Sequence, residues 1–159
     1  MSLVWNGLII GLCGTVLMDI WALALNRIAG VPMANWGNVG RWVAHLGNGK
    51  VFHDNIANAH PALNETAIGW VFHYSVGLIY GVAFVLMAGQ SWMADPGFVT
   101  VLIFAIVTIT AGWFLLHPGL GLGIGLSRTP NPWKARFMGL IAHTWFGVGM
   151  WFGALALAT

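Results

Sequence analysis

Four ionisable side chains lie within, or at the end of, long apolar stretches of the sequence: Asp19, His73, His117 and His143. An ionisable side chain left in hydrocarbon is costly, so such residues usually pair with one another or line a functional cavity. Imidazole rings bind transition metals and carry protons near neutral pH, and a carboxylate is a suitable charge partner for them. The sequence therefore predicts a buried polar site formed by these four residues.

Three interpretations of this site are open. In the first, it binds a metal, a haem or a small polar ligand, with His73 and His143 as metal ligands, because two facing histidines can bind haem iron axially. In the second, the residues carry protons or cations in a small oligomeric transporter. In the third, they only form interhelical hydrogen bonds, worth roughly 1 kcal/mol each, in a structural or accessory subunit. The first is the leading interpretation, and the sequence does not decide whether the protein is an enzyme.

A second group of polar residues lies in the connections between the apolar stretches. Their spacing matches no standard metal site, and exposed loop histidines are usually just solvated. If the first connection folds over the end of the helices, however, its His53 and Asp54 would complete the buried site. We call the candidates of this group the rim residues: Arg41, His53, Asp54, His60 and Arg128. In the first connection, His45 precedes His53 and His60, and Glu65 follows them.

The composition indicates which elements must position these residues. The 159 residues are 58% hydrophobic and only 6% charged, which leaves too little polar surface to cover a domain in water. Crossing a hydrocarbon core takes roughly 20 apolar residues in a helix, and continuous alternation of the β type is absent. We expect one all-α transmembrane domain over residues 1–159, a four-helix bundle with helices at about 3–28, 65–89, 96–117 and 132–157.

The basic residues predict the orientation of this bundle. All six lysines and arginines, Arg27, Arg41, Lys50, Arg128, Lys134 and Arg136, lie between the first and second or between the third and fourth apolar segments. By the positive-inside rule, the loops at 30–64 and 118–131 face the cytoplasm and both termini face the periplasm. We therefore attribute the net charge of +2 to the basic residues that orient the protein in the membrane, and we expect no nucleic acid partner.

Small residues recur at a spacing of four along three of the segments, which places them on one face of each helix. Such stripes let transmembrane helices approach closely, so they predict that Asp19, His73 and His143 lie in the bundle interior at a common depth. The same faces could also contact a second copy of the chain or a membrane-complex partner. The expected packing glycines are Gly7, Gly11, Gly69, Gly77, Gly81, Gly139 and Gly147.

The two basic loops are unusual in sequence. Residues 39–46 (VGRWVAHL) could form a short interfacial helix, which would place Trp42 among the lipid headgroups. Residues 117–132 alternate glycine with leucine or isoleucine and end in a turn-rich stretch, a pattern poorly suited to a stable helix. This segment is expected to be either a re-entrant or tightly packed loop, or a mobile connector.

Five short motifs stand out in the sequence: GRW at 40–42, HDNI at 53–56, GWVFHY at 69–74, SRTPNP at 127–132 and AHTWFG at 142–147. With them the chain resembles a known family, the DUF2938-type family of small four-helix bacterial inner-membrane proteins. The resemblance implies a multi-pass protein of the bacterial inner membrane and extends over almost the whole chain. It brings no activity and no catalytic residues, because the domain is one of unknown function.

Overall fold

The computed structural model describes residues 2–158, and it confirms an all-helical membrane protein. Four helices are long and apolar enough to cross a bilayer: α1 (Leu3–Ala29), α3 (Glu65–Ala94), α4 (Phe98–Gly119) and α5 (Pro132–Leu157). Within the first loop lies the short helix α2 (Trp36–Leu46), close to the position that the sequence predicts. Short 3-10 turns follow at Ile56–Asn58 and Ile124–Leu126, and no strand occurs between residues 2 and 158.

Local sequence signals explain where the long helices begin, end and bend. The Ser2 hydroxyl accepts a hydrogen bond from the Trp5 amide at 3.3 Å and caps α1. Gly30 ends the helix with a left-handed φ of 63°, a conformation that glycine adopts without a steric penalty. Gly89, at φ 78°, interrupts α3 near its end, and α4 contains a π-helical turn at Gly112–Leu116.

The chain forms two compact units. We call the first the helical unit; it contains residues 2–33, 74–108 and 140–158. We call the second the loop unit; it contains residues 34–73 and 109–139, and thus α2, both basic loops and the adjoining ends of three long helices. The candidate rim residues all belong to the loop unit.

In the helical unit, the predicted glycine stripes of α1 and α3 face each other. A Cβ atom added to Gly7 would lie 2.6 Å from the Cα atom of Val82, and one added to Gly11 would overlap the carbonyl oxygen of Gly77. Because these contacts involve backbone atoms, no side-chain rotation could relieve them. The stripes therefore set the close approach of the two helices.

The outer faces of the long helices carry large apolar side chains that no other part of the described chain covers. Examples are Ile20 on α1, Ile79 and Met87 on α3, and Ile103 on α4. Exposed apolar surface of this extent suits contact with lipid rather than water. It agrees with a multi-pass protein in a bilayer.

Candidate functional site

The frame of the loop unit is the contact between α2 and the start of α3. A Cβ atom on Gly40 would overlap the carbonyl oxygen of Glu65, and one on Gly69 would overlap that of Trp36. Glycine at both positions therefore lets the two helix backbones touch. This contact fixes the first loop against the start of α3.

Trp42 is not at a headgroup position of the kind that the sequence predicts. The residue is only 2% exposed, and its indole N–H donates a hydrogen bond to the carbonyl of Val51 at 2.8 Å. It packs with Val39, Ile56 and Leu120 in a small apolar core. The expectation was wrong because the loop supplies both an apolar pocket and a buried acceptor, which together satisfy an indole better than the interface does.

Arg41 and Glu65 form a largely buried ion pair that holds the first loop together. The Arg41 Nε and Nη2 atoms donate to the two carboxylate oxygens of Glu65 at 2.9 and 2.8 Å. Its Nη1 atom lies 3.1 Å from each of the carbonyl oxygens of Ile56, Ala57 and Ala59. Hydrogen bonding to Glu65 raises the pKa of the Arg41 guanidinium above its usual value. Arg41 is therefore a structural clamp.

The glycine-rich segment, residues 117–132, begins in the last turn of α4 and packs against the first loop. It is therefore a tightly packed loop and not a mobile connector. The amides of His53 and Ile56 donate to the carbonyl oxygens of Gly119 and Leu120, both at 3.1 Å. Gly121 has a φ of 87°, and a Cβ atom there would overlap the carbonyl oxygen of Asp54. The alternation of glycine with larger residues thus permits a close contact between two loop backbones.

His53 is buried at this contact, with 7% of its surface exposed. Its Nδ1 atom lies 3.0 Å from the Gly119 carbonyl oxygen, and its Nε2 atom lies 2.8 Å from Nδ1 of His45. The other ring nitrogen of His45, Nε2, lies 3.0 Å from the carbonyl oxygen of His60. The two imidazoles therefore connect α2, the first loop and the glycine-rich segment.

A polar cavity of about 830 Å³ opens where these two loops meet. Its size lies within the usual range of small-molecule sites, roughly 300–1,000 Å³. Basic, acidic and amide side chains from the first loop face basic and hydroxyl side chains from the glycine-rich segment. The lining residues are Lys50, Phe52, His53, Asp54, Asn55, Asn58, Ala59, Pro118, Gly123, Ile124, Ser127 and Arg128.

The structure brings together three of the five candidate rim residues, His53, Asp54 and Arg128, at this cavity. Arg41 instead belongs to the buried ion pair, and His60 contributes its carbonyl oxygen to His45. Each of these positions depends on contacts between segments that are distant in sequence.

The four residues of the predicted buried site are divided between the units. Asp19 and His143 belong to the helical unit, whereas His73 and His117 belong to the loop unit. Asp19 accepts a hydrogen bond from the Tyr74 hydroxyl at 2.9 Å, a partner that the small-residue stripe did not indicate. The His73 ring stacks on Trp36 with a centroid separation of 4.1 Å. The convergence of the four residues on one site stays a prediction.

Two cavity residues, Lys50 and Ser127, were not candidates from the sequence. From the sequence, Lys50 was considered only as one of the basic residues that predict orientation, although it lies three residues before the candidate His53. Ser127 lies in the SRTPNP motif, beside Arg128. Across residues 2–158, no group of three or more histidine, cysteine, aspartate or glutamate side chains could hold a metal ion.

Comparison with known proteins identifies the family of this chain. No curated protein and no solved structure matches the chain. The family model described as "Protein of unknown function (DUF2938)" matches residues 8–157, nearly the whole length. The chain therefore belongs to the DUF2938 family.

Proposed function

We propose that this protein is a multi-pass protein of the bacterial inner membrane that binds a small anionic ligand in the cavity of its loop unit. The distribution of the basic residues supports a cytoplasmic position for both loops, with the termini in the periplasm. The cavity would then take its ligand from the cytoplasm.

The observation that carries this proposal is the pairing of two cations at the cavity. Lys50 comes from the first loop and Arg128 from the glycine-rich segment, and Asp54 is the one carboxylate that lines the cavity with them. Within residues 2–158, neither cation forms an ion pair with a carboxylate of the protein. An arginine and a lysine from two walls, with amide and hydroxyl groups beside them, suit a phosphate, sulfate or carboxylate group.

The walls of the cavity are held in place without the ligand. The Arg41–Glu65 ion pair fixes the first loop, and the backbone hydrogen bonds to Gly119 and Leu120 fix the glycine-rich segment to it. Sites that are arranged before binding lose less conformational entropy when the ligand enters. The arrangement therefore favours binding over a purely structural role for these loops.

Calorimetric titration of the protein in lipid nanodiscs with sodium sulfate tests the proposal. Each of the substitutions Lys50→Gln and Arg128→Gln should weaken binding about 5-fold to 10-fold, the effect of about 1 kcal/mol or slightly more per exposed charge. Asp54→Asn should strengthen it. Lys134→Gln, which removes an exposed cation of the same unit outside the cavity, is the control. Absence of sulfate binding, or an equal loss in the control, would refute the proposal.

The predicted metal or haem site at His73 and His143 needs a different measurement. An optical spectrum and a metal analysis of protein purified from native membranes would show a haem band or a stoichiometric metal if the prediction is correct. Loss of that signal in His73→Ala or His143→Ala would assign the ligands. A colourless, metal-free preparation would exclude both haem and tightly bound metal.

A second candidate function is proton- or cation-coupled transport through Asp19, His73, His117 and His143. The hydrogen bond from Tyr74 to Asp19, inside two apolar helices, favours it because such groups form proton relays in transporters. Acidification of proteoliposomes under an imposed membrane potential would detect the activity. Asp19→Asn should abolish it, and an unchanged rate in that variant would argue against coupling.

A further inference from the structure

The side chains of His45 and His53 take part in three hydrogen-bonding contacts, and two neutral imidazole rings carry too few hydrogens for all three. Nδ1 of His53 faces the Gly119 carbonyl oxygen at 3.0 Å, and Nε2 of His45 faces the His60 carbonyl oxygen at 3.0 Å. A carbonyl oxygen only accepts, so both of these ring nitrogens must carry a hydrogen. The remaining two nitrogens face each other at 2.8 Å.

A neutral imidazole carries one ring hydrogen, so two neutral rings carry two. Both would be used at the carbonyl oxygens, and two lone pairs would then oppose each other between the rings. Three contacts need three hydrogens. We propose that His45 and His53 form a proton-binding pair that holds one proton more than two neutral imidazoles, with the third hydrogen between His45 Nδ1 and His53 Nε2.

The charged groups around this pair come from α2, the first loop, the start of α3 and the glycine-rich segment. Glu65 interacts electrostatically with His45 and favours the added positive charge, although its ion pair with Arg41 offsets part of that effect. Asp54 at the cavity also favours the charge, whereas Lys50 and Arg128 oppose it. The other titratable groups are His60, whose carbonyl oxygen is one of the acceptors, and His117, two residues before Gly119.

The pair also adjoins the cavity, because His53 lines it. The added proton gives the cavity wall a third positive charge beside Lys50 and Arg128. An anion in the cavity would stabilise this charge, and the charge would in turn strengthen anion binding. As the pH rises and the third hydrogen leaves, one of the three contacts must break and anion binding must weaken. This coupling rests on the proposed function, whereas the proton-binding pair itself does not.

Nuclear magnetic resonance of protein with ¹⁵N-labelled histidine, in nanodiscs at pH 7, tests the pair directly. We expect three ring hydrogens on the two histidines together, and a ¹⁵N–¹⁵N coupling between His45 Nδ1 and His53 Nε2. In His45→Gln the side-chain amide can donate to His53 without an added proton, so we expect the loop to stay folded with a single ring hydrogen on His53. Finding only one hydrogen on each ring in the unmodified protein would overturn the proposal.

Sulfate titrations at pH 6 and pH 8.5 test the coupling, because the charge of sulfate is constant over this range. We expect the affinity for sulfate to fall between pH 6 and pH 8.5, and the fold-decrease in the unmodified protein to be at least 5 times that in His45→Gln. His60→Gln keeps the carbonyl acceptor and is the matched control, with the full pH effect. An equal fall in the unmodified protein and His45→Gln would overturn the coupling. Failure of every variant to bind sulfate would refute the proposed function and leave the labelled-histidine result decisive for the pair.

Discussion

Removing the Arg41 side chain should open the first loop. In Arg41→Met, the Glu65 carboxylate and the carbonyl oxygens of Ile56, Ala57 and Ala59 lose the hydrogen bonds that the guanidinium donates. Breaking a buried ion pair from one side costs about 3–5 kcal/mol, since the partner is left buried and unpaired. The two side chains are 11% and 23% exposed, so water compensates in part and the lower value of about 3 kcal/mol applies.

Hydrogen exchange read by mass spectrometry, on protein in nanodiscs, can measure this loss. An opening cost reduced by about 3 kcal/mol corresponds to roughly 150-fold faster exchange of the amides that the clamp protects. Two informative amides are those of Ala59, bonded to the Ile56 carbonyl oxygen, and Ala62, bonded to the Glu65 carboxylate. Lys134→Gln should leave both rates unchanged.

Two further variants separate charge from shape. Arg41→Lys keeps the charge but loses the planar group that bonds both carboxylate oxygens, so we expect an intermediate, roughly 10-fold acceleration. The double variant Arg41→Met with Glu65→Leu removes both charges and should recover part of the loss, because the uncompensated carboxylate is gone. An acceleration below 10-fold in Arg41→Met, or a double variant worse than the sum of its single changes, would refute the reasoning.

The remaining predictions concern packing and topology. Gly40→Ala should lower the thermal unfolding temperature by roughly 6–12 °C, from about 3 kcal/mol of overpacking against backbone, while Gly112→Ala, with 3.6 Å to its nearest neighbour, should have little effect. Gly11→Ala should weaken the packing of α1 against α3 and lower the unfolding temperature by a similar amount; Gly97→Ala, whose nearest neighbour is 3.9 Å away, is its control. Equal changes in unfolding temperature within either pair of variants would contradict the packing argument. A reporter fused after Thr159 should be active in the periplasm, and cytoplasmic activity would reverse the proposed sidedness.

The helices could be predicted from the sequence because each depends on local or periodic signals. Hydropathy alone indicates the four spans, and the spacing of Gly7 and Gly11 indicates which face of α1 makes the close contact. The bend at Gly89 and the π-helical turn in α4 were not predicted. An isolated glycine in an apolar helix has many roles, and nothing beside Gly89 distinguishes a break from a packing contact.

The loop unit was harder to predict because its contacts join residues far apart in the chain. A tryptophan in a short helix between membrane spans is typical of an interfacial anchor. The Val51 carbonyl and the apolar side chains of Val39, Ile56 and Leu120 make Trp42 a core residue instead. The cavity likewise needs Lys50 and Arg128, which lie in different loops, to face one space. No periodicity in the sequence relates such positions. The sequence therefore indicated several of the candidate residues but not their arrangement in space.

Three of the motifs noted in the sequence, GRW, HDNI and SRTPNP, have physical roles in the loop unit. In GRW, Gly40 allows the backbone contact, Arg41 forms the ion pair and Trp42 fills the core. In HDNI and SRTPNP, His53 and Asp54 face Ser127 and Arg128 across the cavity. These three motifs come from both basic loops, and together they hold and line the cavity in which we propose that the ligand binds.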